Sequence, residues 1–213
     1  MSIASNLVWL HADDALLAVD KPAGLLAVPG RGAEKQDCLA VRVQERWPDA
    51  LVVHRLDQAT SGLMLFARGA DLQRRLSRAF AARQIDKHYV AVVAGRMPAA
   101  SGRIELPLMA DWPRRPLQKV DALAGKPSIT DWQLTGYDDA QQTSRLALQP
   151  LTGRTHQLRL HLAAIGHPIL GDALYAPPDI VERAPRLLLH ACALAFDHPL
   201  DGTRLQLRCE PPF

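Results

Sequence analysis

The sequence predicts an α+β fold built on a largely antiparallel, mixed sheet flanked by helices. Short apolar runs bounded by Pro, Gly and Asp recur along all 213 residues, the usual sequence form of core strands. Helical periodicity is confined to stretches of modest length. The regular strand–helix–strand alternation that a parallel sheet needs is missing.

The elements follow in order. Residues 1–12 read as a short leader whose Trp9 and Leu10 pack on the body. Ala15-Leu16-Leu17-Ala18-Val19-Asp20 is a strand, ended by the Lys21-Pro22-Ala23-Gly24 turn. Residues 25–32 continue as an extended stretch and a flexible loop. Leu39, Val43 and Trp47 recur at helical spacing over 37–47, and Pro48 stops that helix. The runs 50–53 and 63–66 are buried strands joined by a short polar turn, 54–62. Residues 71–83 form a basic helix with Leu72, Leu76, Ala79 and Phe80 on its apolar stripe.

Strands follow at 87–95 and 102–108, and residues 109–127 are a Pro-rich, basic insert around Trp112. Strand patterns return at 128–137 and 144–151. Residues 155–165 alternate in part, but Leu158, Leu162 and Ile165 with the Gly166 stop favour a helix. Strands at 186–196 and 203–209 close the chain around a Pro199-Leu200-Asp201-Gly202 hairpin turn. One domain, residues 1–213, is the expected organisation.

Composition narrows the function classes. A formal charge of +3 and a pI of about 8.9 are mildly basic and fit a nucleic-acid partner among others. An aromatic share of 5% argues against an open sheet that stacks bases. Cys38, Cys192 and Cys209 have no metal-type spacing, and no apolar run reaches bilayer length. A reduced, cytoplasmic protein is expected, with no membrane partner. His156, His161 and His167 lack the spacing of a zinc pair and are read as ordinary hydrogen-bonded histidines. Phosphate-cradling and dinucleotide fingerprints are missing, and Ser61-Gly62 lacks the context of a nucleophile elbow. A carboxylate, a phenol and arginines are left as candidates. Among them Asp57 stands out, on a polar turn between two core strands, held rigidly yet able to face a cleft.

At these positions the chain resembles a known family. His54-Arg55-Leu56-Asp57-Gln58-Ala59-Thr60-Ser61-Gly62-Leu63 is similar to the catalytic motif of the RluA family of RNA pseudouridine synthases. Lys21-Pro22-Ala23-Gly24 resembles the family's first motif and Lys87-His88-Tyr89 its tyrosine motif. Leu151-Thr152-Gly153-Arg154-Thr155-His156-Gln157-Leu158-Arg159 resembles the arginine-bearing motif, and Gly166-His167-Pro168-Ile169-Leu170-Gly171-Asp172 the segment after it. The motifs stand in family order. The resemblance is greatest to the small dual-specificity type, which acts on the tRNA anticodon loop and 23S rRNA without an S4-type RNA-binding domain.

The resemblance implies a pseudouridine synthase fold with a central catalytic cleft, and an isomerisation that needs no cofactor. Asp57 is then the essential carboxylate, either adding to C1′ as a nucleophile or taking the C2′ proton to give a glycal. Arg159 is the cation expected to favour its charged form, with Arg154 in reserve. Tyr89 packs on the target ring or relays the C5 proton; packing is the safer reading, because a phenol is a poor base at neutral pH. The target uridine must leave its stack, and Arg55, two residues from Asp57, is placed to enter the space it vacates. The bland alternative is that Arg55 pairs with a local carboxylate or a phosphate.

Thr60 and Ser61 are expected to hold the turn through backbone hydrogen bonds. His54, Thr60, Arg55, Arg154, Arg114, Arg115 and Lys119 complete the candidate substrate-binding set. Arg74, Arg75, Arg78 and Lys126 are further candidates for phosphate contacts. RNA (tRNA, 23S rRNA or both) is the expected partner, DNA is not, and a monomer is the default. A non-catalytic RNA-binding protein would have no need for Asp57, Tyr89 and Arg159 together. A glycosidase or nucleosidase would need a second acid, and no motif pairs one with Asp57.

Overall fold

A computed structural model describes residues 7–213. Their contacts divide the described residues into one unit that runs up to Asp86 and includes His190–Pro212, and another of Lys87–Leu189 with Phe213.

The first unit begins with β1 (Val8–Ala12), paired antiparallel to β2 (Leu16–Lys21) with Trp9 opposite Val19. The expected leader is thus a strand where it is described, and residues 1–6 of it lie outside the described residues. Helix α1 (Leu39–Arg46) buries Leu39, Ala40 and Val43, and β3 (Ala50–Val52) follows it. Next come β4 (Ser61–Arg68) and α2 (Ala70–Ala81). β2 and β4 are neighbours along their length, from Leu16 opposite Ala67 to Lys21 opposite Gly62. Both are apolar on consecutive residues because each has both faces covered. On one face Leu17, Val19, Met64 and Phe66 pack with Leu39 and Val43. On the other, Leu16, Ala18, Leu63 and Leu65 meet Leu72, Leu76 and Phe80 of α2.

The second unit opens with β5 (Asp86–Ala94), all but its first residue lying in this unit. The run expected as one strand over 102–108 is two, β6 (Ser101–Glu105) and β7 (Leu108–Ala110). Pro107 intervenes, and it has no N–H to continue a ladder. The basic insert is more ordered than its composition predicts: β8 (Gln118–Val120) pairs back on β7, and Asp121 caps the next turn by accepting from the N–H groups of Leu123 and Ala124. β9 (Ile129–Asp138) and β10 (Thr143–Pro150) complete an antiparallel set ordered β5-β10-β9-β6.

Helix α3 (Gln157–Ala164) confirms the helical reading of 155–165, although Ile165, read as part of its apolar stripe, caps the helix and is exposed. A short α4 (Pro178–Val181), unexpected from the sequence, starts on Pro178, where the missing N–H costs nothing.

The chain returns to the first unit through β11 (Leu189–Asp197) and β12 (Arg204–Arg208), an antiparallel hairpin closed by the bond from the His198 N–H to the Thr203 carbonyl. β11 runs parallel to β4 at one point, His190 opposite Ser61 and Ala191 opposite Gly62. Gly62 has φ of +115°, and a Cβ there would lie 2.4 Å from the Ala191 carbonyl oxygen. Only glycine admits this approach.

Candidate active site

Asp57 lies on the connection from β3 to β4, where Arg55 is exposed, Leu56 buried and Asp57 half-buried. The alternation supports the extended geometry expected of residues 55–57. The Asp57 carbonyl accepts the Thr60 N–H at 3.1 Å, closing a tight turn. Thr60 is buried there with Ser61. The Arg55 side chain makes no hydrogen bond or ion pair among the described residues, so no local carboxylate accounts for it.

Lys21 holds this turn from below. Its side chain is fully buried, and its ammonium donates to the carbonyls of Pro22 (2.9 Å), Leu25 (2.8 Å) and Gln58 (3.1 Å). The Gln58 carbonyl also accepts the Gly24 N–H at 2.8 Å, and the Gln58 amide returns a bond to the Gly24 carbonyl. A buried ammonium with three carbonyl partners is a compensated charge. It ties the Lys-Pro-Ala-Gly loop to the residue following Asp57.

His54, placed with the substrate-binding candidates, has a packing job. One edge of β4 is covered by β11 at Ser61–Gly62 and by β3 at Phe66–Arg68. The Leu65 N–H falls between them and donates to His54 Nε2 at 2.9 Å, while the imidazole stacks on Phe80 at 4.5 Å. Below the start of β4, the Ser61 hydroxyl lies 2.8 Å from His190 Nδ1, and His190 Nε2 lies 3.1 Å from the Cys209 carbonyl. A carbonyl only accepts, so Nε2 carries the proton and Nδ1 accepts from Ser61.

In the second unit, Tyr89 is half-buried on β5 opposite Leu148. Arg159, on the first turn of α3, is 3% exposed, and its guanidinium forks onto Asp172, Nε to Oδ2 at 2.9 Å and Nη2 to Oδ1 at 2.5 Å. Asp172 is buried as well and accepts the N–H groups of Leu174 and Tyr175. Arg154 is exposed. Its N–H donates to Gln157 Oε1, which also accepts the Thr152 hydroxyl, while the Gln157 amide donates to Ile129 O and Thr130 Oγ1. The arginine-bearing loop is therefore fixed by one buried glutamine.

The histidines read as ordinary have ordinary partners. His161 sits between Thr130 Oγ1 and the Leu106 carbonyl, and burial pushes its pKa down. His167 lies 2.9 Å from the Ala94 carbonyl, and His156 2.7 Å from the Tyr175 hydroxyl. In the basic insert, Arg114 pairs with Asp111 and Lys119 with Asp121. Arg115 instead lies over the ring of Trp112, 3.2 Å from its centroid, and Trp112 is 64% exposed. Arg74 is paired with Asp71 and Arg75 with the Pro199 carbonyl, so α2 presents fewer unengaged cations than its composition suggests.

The model of one family, RNA pseudouridylate synthase, matches residues 15–164. The chain belongs to the RNA pseudouridylate synthase family. A dual-specificity RNA pseudouridine synthase of Escherichia coli K12, RluA, is 47% identical over 207 residues, 97% of this chain and 94% of that protein. The protein of that name from Vibrio vulnificus is 49% identical over 193 residues, 89% of this chain and 77% of the relative. Among solved structures, human RNA pseudouridylate synthase domain containing 1 superposes with a TM-score of 0.81 at 28% identity, covering 99% of this chain and 85% of that one. Family membership agrees with the motif reading and with the mostly antiparallel α+β architecture.

Lys21, Gln157 and Asp172 all stand inside the family-like motifs but outside the set of site residues expected from them. A lysine ending an otherwise apolar strand was the available signal for Lys21. For Asp172 there was none beyond its place in the last motif.

Proposed function

We propose that this pseudouridine synthase isomerises uridine in structured RNA, in the tRNA anticodon loop and 23S rRNA, with Asp57 as the essential carboxylate. The observation that carries this reading is the relationship to dual-specificity relatives over 97% of the chain. Residues 1–213 act as a single catalytic domain; the family model spans residues of both units, which supports this. The protein works as a monomer in the cytoplasm and takes RNA rather than DNA. No helix among the described residues is long and apolar enough to cross a membrane.

The reaction breaks the C1′–N1 bond, turns the uracil and joins C5 to C1′, so substrate and product have the same atoms. Asp57 attacks C1′ or removes the C2′ proton, and Arg159 is the cation that serves it. Tyr89 packs against the target ring. Arg55 enters the stack vacated by the flipped uridine, a role supported by its exposure and its freedom from carboxylates among the described residues. Arg154, Arg115 and Trp112 take RNA outside the reacting base, and Arg114 and Lys119 add charge where their own carboxylates leave it.

Deleting the gene and mapping pseudouridine across tRNA and rRNA by carbodiimide-stop sequencing tests the reading. Loss of modification at specific anticodon-loop and 23S positions, restored by the wild-type gene and not by Asp57→Asn, is expected. An unchanged pseudouridine map would overturn it.

A further inference from the structure

Asp20 at the end of β2, His190 at the start of β11 and Cys209 just past β12 converge in the first unit. One ligand atom from each, a carboxylate oxygen, a ring nitrogen and the sulfur, lies within 4.8 Å of the others. Strand parity explains the meeting. Asp20 follows Leu16 and Ala18 on one face of β2, and His190 precedes Leu194 and Phe196 on the same face of β11. Those four apolar residues and Cys209 share one core cluster. His190 is 0% and Cys209 6% exposed, and the Asp20 Oδ1 atom is buried without a hydrogen-bond partner among the described residues. The polar neighbour that the carboxylate does have is the Cys209 thiol, so its compensation is only partial.

We propose that Asp20, His190 and Cys209 form a structural site for a divalent ion of the zinc class. Thiolate, imidazole and carboxylate are the ligand types zinc selects, and ligand atoms around a tetrahedral zinc sit roughly 3.2–3.8 Å apart, so a closure of about 1 Å suffices. Binding displaces the thiol proton to solvent. The ring nitrogen facing the ion gives up its present partner, while the other keeps its oxygen neighbour, the usual outer arrangement of a metal-bound histidine. The fourth position takes water or Cys192. That residue lies on the same face as His190 and opposite Cys209, whose N–H donates to the Cys192 carbonyl at 2.8 Å.

Such an ion would join strand ends far apart in the chain, next to Lys21, which holds the Asp57 turn, and to Ser61, which is bonded to His190. Its effect is on stability, because none of the three ligands belongs to the proposed catalytic set. Cross-linking long loops is where a metal clip gives most.

The test uses the full chain, purified, stripped with chelator and titrated with Co²⁺. Saturation at one equivalent is expected, with a thiolate-to-cobalt charge-transfer band that Zn²⁺ abolishes, and Zn²⁺ should raise the melting temperature by several degrees. Cys209→Ser should remove the band. Asp20→Asn, a near-isosteric change, should weaken Co²⁺ at least tenfold while keeping the wild-type circular dichroism. A titration without the band would overturn the site. So would a band that survives Cys209→Ser, or one lost only in Cys192→Ser.

Discussion

Arg159 and Asp172 form a buried, two-pronged ion pair, with each nitrogen–oxygen contact at 2.9 Å or less and neither residue more than 3% exposed. Asp172 therefore sets the position of the arginine assigned to the chemistry. The pair explains why a cation can stay inside α3, where a lone guanidinium could not.

Asp172→Asn leaves that guanidinium buried without its counter-charge. A loss of about 3–5 kcal/mol in urea unfolding is expected. Arg159→Lys keeps the charge and loses the fork, so it should unfold nearer the wild type yet lose most of its turnover. A stable, fully active Asp172→Asn protein would remove Asp172 from the account.

Lys21→Met conserves bulk and apolar packing while removing three donors from the Pro22, Leu25 and Gln58 carbonyls. Because Gln58 adjoins Asp57, kcat is expected to fall at least tenfold with a smaller change in KM. Steady-state kinetics on a tRNA substrate separate the two. Equal changes in both would mean that Lys21 supports folding alone.

His161 gives the stability a sign with pH. Burial lowers its pKa in the folded state below the ordinary value of 6.5, so the unfolded chain takes up its proton first on acidification. The contribution is complete above about pH 6.5 and is lost as pH falls toward the folded value, with a limiting slope of about 1.4 kcal/mol per pH unit. Urea unfolding at pH 7.5 and 5.5 should show a smaller loss for His161→Gln than for wild type. Identical losses would contradict this.

Trp112→Ala should leave the melting temperature unchanged, since the ring is largely exposed. It should raise the Kd for RNA about fivefold or more, through the loss of a stacking surface. Arg115→Ala should reduce the slope of log affinity against log salt by about 0.7, the share of one phosphate contact on a single strand. Filter binding across a salt series measures both. Unaltered RNA binding in the two variants would move the interface off the 109–127 insert.

Much of this was legible from residue order. The apolar runs 15–20 and 63–66 became β2 and β4 because continuous hydrophobicity is what a strand covered on both faces requires. Leu158 and Leu162 marked α3, and Asp57 stood out as a carboxylate on a turn between core strands. What was hidden depended on contacts between distant residues. His54 fills a gap between two partial neighbours of β4, which no local pattern encodes. The insert read as irregular because its prolines outweighed the short Leu108–Ala110 and Gln118–Val120 pairing. Asp20, His190 and Cys209 meet only through strand order, and their spacing along the chain is uninformative.

Conversion at the Asp57 turn is the claim on which the rest depends. Each turnover removes the proton from C5 of the target uridine, so tritium release from tRNA carrying [5-³H]uridine reports it directly. Purified wild-type protein is expected to release one equivalent per modified site. Asp57→Asn should release none while binding the same RNA with wild-type affinity. Tritium release by the Asp57→Asn protein at a rate near wild type would contradict the account.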